Sequence, residues 1–195
     1  DQAHPAIAWP MRLFDCSPVS DGAVALLLVA EEIASSFTDK PLHIIGYGQG
    51  SDVPTYERES LTSIMAARVA AEQAYATAGV KPQDIKVCEV HDCFTIAELI
   101  AIEDLGFFKP GEGHKAIAEG LTSRLGPRPI NSSGGLKSKG HPVGATGAGQ
   151  VVEVFKQMRG EAGPRQVPGD LNLGLTHNLG GSGMAALVHI FERRQ

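Results

Sequence analysis

The chain has 195 residues, of which 43% are hydrophobic and 20% charged, and its formal net charge is −5. This composition is typical of a soluble globular protein with one good core and part of another. The negative charge argues against a nucleic-acid-binding surface, and no apolar run has the length of a membrane span. Three cysteines without a CxxC pair favour reduced thiols in the cytoplasm over a disulfide framework or a metal site.

The first forty residues contain one strongly apolar segment. Residues 1–20 include three prolines and show no clear period. Residues 23–30 then form the continuous run Ala-Val-Ala-Leu-Leu-Leu-Val-Ala, which predicts a strand buried on both faces, with a short helix over Glu31–Ser35 after it. Because little upstream could pair with this strand, we expect it to pair with another chain or with the edge of an absent half.

The middle of the chain alternates strands and helices. Leu42–Gly48 predicts a second strand. Leu61–Ala78 has the apolar spacing of an alanine-rich helix, which Gly79 ends. Val87–Val90 predicts a short third strand. This alternation indicates an α/β fold.

A histidine and a cysteine follow the third strand, in the motif HDCF of residues 91–94. A helix begins directly after it, with Thr95 and Glu98 in the pattern of a capping box. Functional sites of α/β folds gather at this end of the strands. A helix N-terminus also lowers the pKa of a nearby thiol, so Cys93 is a candidate reactive thiol. The alternatives are a packing thiol at Cys93 and a strand-end cap at His91.

A glycine-rich loop, Asn131–Gly149, contains a single histidine, His141, followed by Pro142. The apolar-periodic run after the loop predicts a helix, and Pro142 suits its first positions. The ring of His141 can therefore point into a pocket, beside backbone that can approach a ligand closely. One alternative is that His141 only caps the helix or forms a local hydrogen bond. Another is a pyrophosphate cradle in the loop, although the glycines lack the G-x-G-x-x-G spacing.

The C-terminal segment predicts a hairpin. Leu171–His177 alternates like a strand, Asn178–Gly183 is a tight glycine turn, and Met184–Phe191 is the return strand. The predicted fold class is therefore α/β, a mixed sheet with helices on both faces and a C-terminal antiparallel hairpin. Three loops then present a thiol, two imidazoles and the amides around Gly180, a constellation that suits acyl-group chemistry at a thioester.

The order of the motifs HDCF, SKGHPVGATGAG and HNLGGSG resembles the C-terminal half of a thiolase, in particular the sterol-carrier-protein type and its bacterial and archaeal relatives. The resemblance extends from residues 12–17 to the last strand. HDCF marks the subfamily, because other thiolases resemble Asn-Glu-Ala-Phe at this point. Those other thiolases also carry a cysteine where this chain has Asn178.

The resemblance implies roles for individual residues. Cys93 takes over the acid/base role of the absent cysteine. His141 activates the nucleophile and, together with His91, binds the thioester oxygen. The Gly180 amide serves a second oxyanion hole. The implied substrate-binding residues are Asn178, Gly181, Ser133 and Gly134. The substrate is a coenzyme A thioester, and neither a bound cofactor nor a metal is implied.

The match lacks one essential group. The nucleophilic cysteine of a thiolase lies in its N-terminal half, at the start of a buried helix, whereas Cys16 precedes a turn and a predicted strand. We therefore assign residues 1–38 to a remnant of the N-terminal thiolase half and residues 39–195 to the C-terminal thiolase domain. We expect that this chain alone does not complete the reaction.

The implied reaction is thiolysis of a 3-oxoacyl-CoA or the reverse Claisen condensation. The implied partners are an acyl-CoA substrate and an N-terminal thiolase half or further copies of the chain, with a small OB-fold or zinc-ribbon protein as another candidate. Three alternatives stay open. They are a retro-aldolase subunit for a sterol-derived CoA thioester, a small acyl-CoA-binding partner protein, and a non-catalytic scaffold subunit of a multienzyme complex.

Overall fold

The computed structural model describes residues 4–194 of the chain, so the first three residues of the predicted N-terminal remnant and Gln195 lie outside the described residues. Near the start of this range, β1 (Ala6–Ala8) and β2 (Met11–Arg12) form a small antiparallel pair. The main sheet of the described range contains four strands, β3 (His43–Ser51), β4 (Val87–Glu89), β5 (Leu173–Gly180) and β6 (Ala185–Glu192).

The main sheet is mixed, with the spatial order β3-β6-β5-β4. Strand β6 is antiparallel to both of its neighbours, whereas β4 and β5 are parallel. Strands β5 and β6 are consecutive in the chain and form the hairpin that the alternating C-terminal pattern predicts. The predicted α/β class with a C-terminal hairpin is therefore confirmed.

Helices lie on both faces of this sheet. The described range contains α1 (Met65–Ala78), α2 (Thr95–Asp104), α3 (Gly113–Ala118), α4 (Gly135–Lys139) and α5 (Thr146–Arg159). Successive strand residues point to opposite faces, and the two apolar clusters divide them in this way. Cys88 packs with the alanines of α1, whereas Val87 packs with Val154 and Met158 of α5.

Strand β3 and helix α1 meet in an unusually close seam. An added Cβ at Gly48 would lie 2.9 Å from the carbonyl carbon of Ala70, and one at Gly50 would lie 2.8 Å from that of Ala66. Real Cβ atoms do not approach backbone this closely, so only glycine fits at these strand positions. Alanines on the helix side are fully buried, which lets the helix rest directly on the strand.

The apolar run of residues 23–30 is not a strand, which corrects the sequence-based prediction. It has no regular secondary structure and no strand pairing within the described residues. Most of its large side chains are exposed, with Leu27 at 72% and Leu28 at 74% of full exposure. Composition alone favours an extended conformation, but a strand needs a partner for its backbone groups, and none lies alongside this segment. The helix predicted after it is a 3-10 helix, Glu31–Ser36.

Two helix starts also differ from the predictions. Helix α1 begins at Met65 rather than Leu61, because Asp52 accepts a hydrogen bond from Met65 N at 3.1 Å and so caps the helix there. Helix α5 begins at Thr146, and Pro142 lies in the turn before it, where its carbonyl accepts a bond from Ala145 N. No helix in residues 4–194 combines the length and apolar character needed to cross a membrane.

Candidate active site

The two predicted site histidines are in contact. His91 follows β4 and is buried, and His141 lies in the glycine loop before α5. Their ring centroids are 5.0 Å apart and the ring planes meet at 85°, an edge-to-face arrangement. The structure therefore brings together two imidazoles that are 50 positions apart in the sequence, at the carboxyl end of β4.

Cys93 belongs to the same region through a short backbone segment, residues 16–19. Ser17 N donates to the carbonyl of Cys93 at 2.9 Å, and His141 N donates to the carbonyl of Pro18 at 3.3 Å. Val19 also forms an isolated parallel bridge with His141. Because Ser17 and Pro18 are adjacent, this segment lies between the Cys93 loop and the His141 loop and holds them at the same end of the sheet.

The imidazole of His141 is oriented by Thr146. Its Nδ1 lies 2.7 Å from Thr146 Oγ1, and that hydroxyl also donates to the carbonyl of Pro142 at 3.1 Å. A hydroxyl has a single proton. Because the Thr146 hydroxyl uses its proton in the bond to the Pro142 carbonyl, the His141 ring donates from Nδ1 to the Thr146 oxygen. This arrangement leaves Nε2 of His141 free to accept a proton, and the Nδ1 bond persists when Nε2 is protonated.

Burial shifts the pKa values of His91 and Cys93 in the directions that favour the uncharged side chains. Burial, followed by the nearby His141 ring, lowers the pKa of His91 to about 4, so this ring is neutral at physiological pH. Burial raises the pKa of Cys93, although the amide of Phe94 opposes the shift. The prediction that the helix N-terminus lowers this pKa is therefore wrong for the isolated chain. Helix α2 begins only at Thr95, and desolvation of the half-buried thiol outweighs the amide.

The third loop carries Asn178, Gly180 and Gly181. Asn178 lies in β5, and its amide donates to Oε1 of the buried Gln150 at 3.0 Å. Gly180 is the last residue of that strand, is exposed, and has no atom within 4 Å of an added Cβ. Gly181 begins the following turn with φ of 56°. Gly180 thus ends β5 at the surface, with no atom close to the side on which a Cβ would lie.

Ser133 is bonded inward rather than toward open space. Its hydroxyl donates to Oε2 of Glu89 at 2.5 Å, and Lys139 Nζ donates to the same hydroxyl at 2.9 Å. Burial raises the pKa of Glu89, which Lys139 and Ser133 oppose. These contacts give Ser133 a role in holding the glycine loop to β4. Sequence reasoning did not identify Glu89, although a glutamate inside an apolar strand is the one feature that could have marked it.

Asp92, the second residue of HDCF, is hydrogen-bonded to the backbone of the glycine-rich loop that contains His141. Its buried carboxylate accepts hydrogen bonds from Leu136 N at 2.7 Å and Lys137 N at 3.3 Å, at the start of α4. Gly134 and Gly135 reach this position with φ of 92° and 62°. Asp92 therefore ties the HDCF loop to the loop of His141.

Substitution of Gly135 by alanine tests this contact. A Cβ there would collide with the Asp92 carboxylate, 2.7 Å from its Cγ, in a backbone conformation that already disfavours alanine. Gly111→Ala is the matched control, because its φ is 82° and no atom lies within 4 Å of the added Cβ. We expect Gly135→Ala to lower the free energy of unfolding by about 2 kcal/mol more than Gly111→Ala. If urea denaturation gave the same loss of unfolding free energy for both variants, the Asp92 carboxylate would be able to move aside without destabilising the fold.

Glu98 is a further ionisable group at this site. It accepts a hydrogen bond from Asn131 Nδ2 at 3.0 Å, and Asn131 Oδ1 accepts one from Val90 N at 2.8 Å. Burial raises the pKa of Glu98 to about 7. It borders a cavity of about 440 Å³ that Asp92 and Lys137 also line. The predicted capping box is thus wrong, since Glu98 faces Asn131 and Thr95 donates to Asp15.

The described residues thus form a mixed α/β domain with two imidazoles, a thiol and a glycine turn at the ends of its strands. The family comparison is more specific. Residues 48–193 match the family described as "Thiolase C-terminal domain-like". The chain belongs to the thiolase family.

Named relatives are consistent with this family. The chain is 48% identical over 188 residues to the acetyl-CoA acetyltransferase of Methanothermobacter thermautotrophicus, covering 96% of the chain and 49% of that protein. It is 43% identical to the Methanocaldococcus jannaschii acetyl-CoA acetyltransferase, covering 97% of the chain and 50% of that protein. It is 40% identical to sterol carrier protein 2 of Oryctolagus cuniculus, covering 93% of the chain and 34% of that protein.

Among solved structures, the Ltp2-ChsH2(DUF35) aldolase superimposes with a TM-score of 0.85 at 28% identity, covering 98% of the chain and 50% of that structure. The chain thus spans about half the length, or less, of the relatives that it matches.

Proposed function

We propose that this chain supplies the acid/base and oxyanion half of the active site of a coenzyme A-dependent acyltransferase. The reaction is thiolysis of a 3-oxoacyl-CoA or its reverse, a Claisen condensation. The observation that carries the proposal is the contact between the His91 and His141 rings, with Cys93 held at the same end of the sheet. The names of the two archaeal relatives support acetyl-CoA as one substrate.

In thiolysis, a cysteine thiolate from an N-terminal thiolase half attacks C3 of the 3-oxoacyl group. The C2–C3 bond breaks, and its electron pair forms the enolate of acetyl-CoA. The His141 and His91 rings donate hydrogen bonds to the thioester oxygen as it gains charge. Cys93 then gives its proton to C2, and the raised pKa keeps that proton on the thiol until it is needed. Free coenzyme A then gives its thiol proton to the Cys93 thiolate and attacks the acyl-enzyme thioester; the new carbon–sulfur bond forms as the bond to the nucleophilic cysteine breaks and that cysteine leaves as a thiolate.

The neutral state of His91 suits an oxyanion donor. A ring with a pKa of about 4 donates a hydrogen bond from its N–H without itself carrying charge. This hydrogen bond strengthens as negative charge develops on the oxygen, so it stabilises the enolate as the enolate forms. The amide of Gly180, the exposed last residue of β5, is proposed to stabilise the tetrahedral intermediate at the nucleophilic cysteine. Four residues around these groups are proposed to contact the substrate: Asn178, Gly181, Ser133 and Gly134.

A retro-aldolase subunit is the second candidate, and its support is the likeness to the Ltp2-ChsH2(DUF35) aldolase. An aldolase of this fold would cleave a carbon–carbon bond without forming an acyl-enzyme. The two candidates therefore differ in their need for a nucleophilic cysteine in the N-terminal half. Covalent labelling of that half by an acyl-CoA would support the acyltransferase, and cleavage of a β-hydroxyacyl-CoA without labelling would support the aldolase.

The acyltransferase proposal predicts that activity requires both halves. The 195 residues alone should not thiolyse acetoacetyl-CoA, whereas the chain joined to an N-terminal thiolase half should do so. In that enzyme, Cys93→Ala is expected to lower kcat by about 10²–10⁴-fold, because the proton donor is lost. Cys88→Ala, which alters a buried core thiol, is the control and should retain activity. The decrease in acetoacetyl-CoA absorbance with time measures the thiolysis rate of the parent and of both variants.

Two results would contradict this proposal. One is turnover by the isolated chain that Cys93→Ala abolishes, since the nucleophile would then lie within these residues. The other is a two-half enzyme in which Cys93→Ala is as active as the parent.

The proposal carries three further expectations. They are the division into residues 1–38 and 39–195, a cytoplasmic location, and an OB-fold or zinc-ribbon partner.

A further inference from the structure

The turn that follows Gly180 has an unfavourable backbone. Gly181, Ser182 and Gly183 have φ of 56°, 56° and 86°, so three successive residues lie in the left-handed region. Ser182 is one of two residues other than glycine with positive φ in the described range, and a side chain disfavours this conformation. Ser182 is therefore the strained residue of the turn, and a contact to it from outside the turn would help to hold this shape.

Arg58 provides such a contact from a distant part of the sequence. Its Nη2 donates to the carbonyl of Ser182 at 2.9 Å, and its Nε donates to the carbonyl of Val53 at 3.3 Å. An added Cβ at Gly183 would lie 3.1 Å from the same Nη2, so the guanidinium rests against the backbone of the turn. The Arg58 side chain is only 7% exposed.

Asp52 fixes Arg58 in this position. Its carboxylate lies 3.2 Å from Arg58 Nε, and the Asp52 side chain is 11% exposed. The same carboxylate caps Met65 N at the start of α1, and Asp52 N donates to the carbonyl of Met184 at 2.8 Å. One ion pair thus joins the end of β3, the start of α1 and both sides of the turn.

We infer that Arg58, held by Asp52, is a positioning residue for the Gly180 amide. This inference rests on the proposed function, in which that amide stabilises an oxyanion. Gly180 is joined directly to the left-handed turn, so the position in which β5 ends, and with it the position of the Gly180 amide, depends on the shape that Arg58 supports. Arg58 does not touch the substrate in this arrangement; it acts through the turn. A guanidinium suits this role because its planar fork can bond one carbonyl while lying flat against the backbone.

The test uses the enzyme that contains both thiolase halves. Arg58→Lys keeps the charge but loses the planar fork. We expect kcat for acetoacetyl-CoA thiolysis to fall about 10-fold or more with KM within about twofold, because the oxyanion contact is made only in the transition state. Adding Ser182→Gly should restore most of the lost kcat, since glycine adopts the left-handed conformation without strain.

Arg128→Lys is the matched control for the loss of a structural guanidinium. Arg128 also bonds backbone carbonyls, those of Pro82 at 3.0 Å and Ile85 at 2.9 Å, and it lies over the ring of Phe107. Its substitution should lower thermal stability and leave kcat unchanged. A merely structural Arg58 would behave in the same way, and Ser182→Gly would then not rescue kcat in the Arg58→Lys enzyme.

Hydrogen exchange provides a readout that does not depend on activity. Arg58→Lys should speed exchange of the amides of residues 180–184 and leave those of the Arg128 region unchanged. An active parent enzyme in which Arg58→Lys alters neither kcat nor this exchange would overturn the inference. An inactive parent would instead contradict the proposed function, and the exchange rates would still decide whether Arg58 holds the turn.

Discussion

Replacing His141 by alanine in the two-half enzyme is expected to lower kcat by about 10²–10⁴-fold while KM stays within about twofold. The ring is placed to take a proton from the nucleophile and to donate to the thioester oxygen as it becomes charged. Both interactions strengthen on the way to the transition state, so their loss slows the reaction more than it weakens binding. The backbone bond of residue 141 to Pro18 does not involve the ring and should persist.

Thr146→Val is the companion variant for His141. It keeps the imidazole and nearly the same side-chain shape but removes the hydroxyl that bonds Nδ1 at 2.7 Å. We expect a smaller loss of kcat than for His141→Ala, because the ring is present but free to rotate. Steady-state kinetics on both variants provides the check. A His141→Ala enzyme with an unchanged kcat and a raised KM would show that the ring only binds substrate.

Replacing His177 by leucine should make the protein more stable and less sensitive to acid. His177 lies in β5 opposite Val188 and is fully buried, and neither ring nitrogen has a hydrogen-bond partner among residues 4–194. Burial, followed by the nearby His91, lowers its pKa to about 3. In the unfolded chain the same ring titrates near about 6.5.

The direction of the pH effect follows from these two values. Between pH 6.5 and pH 3 the unfolded chain binds a proton at His177 that the folded chain does not, so acid favours unfolding. This one group should remove about 3 kcal/mol of stability between pH 7 and pH 4.

Urea denaturation of the parent and of His177→Leu across this pH range measures the effect as a difference between the two. His177→Gln separates the two contributions, because it removes the titration but keeps an unpartnered polar group in the core. It should lose the pH dependence without the gain in stability that leucine brings. Parallel pH profiles for the parent and both variants would mean that the ring has a partner that neutralises the effect of burial.

The arrangement of the candidate site was predictable because it depends on where strands end. His91 and Cys93 follow a short apolar strand, and His141 lies in a loop whose glycines and following helix are visible in the sequence. The carboxyl-end rule for α/β folds then brings such loops together. The contact of the two rings agrees with this reasoning, whereas the catalytic roles come from the family resemblance and stay predictions.

The residues that support the site were not predictable in the same way. Glu89 and Asp92 are charged residues in or beside a buried strand, and their partners lie 44 positions away at Ser133 and Leu136. Side-chain pairing over such distances leaves no periodic trace. The same limit explains the error at Cys93, since a helix N-terminus is visible in the sequence but the amount of desolvation depends on residues from elsewhere in the chain.

The seam between β3 and α1 limits how this chain can change in evolution. At Gly48 and Gly50 the strand meets the backbone of the helix, so a smaller residue on the helix cannot make room for a methyl group on the strand. Packed positions usually change in compensating pairs, one growing as its neighbour shrinks, but that route is closed here. Each glycine is retained or lost on its own, and no second substitution in α1 can act as its suppressor.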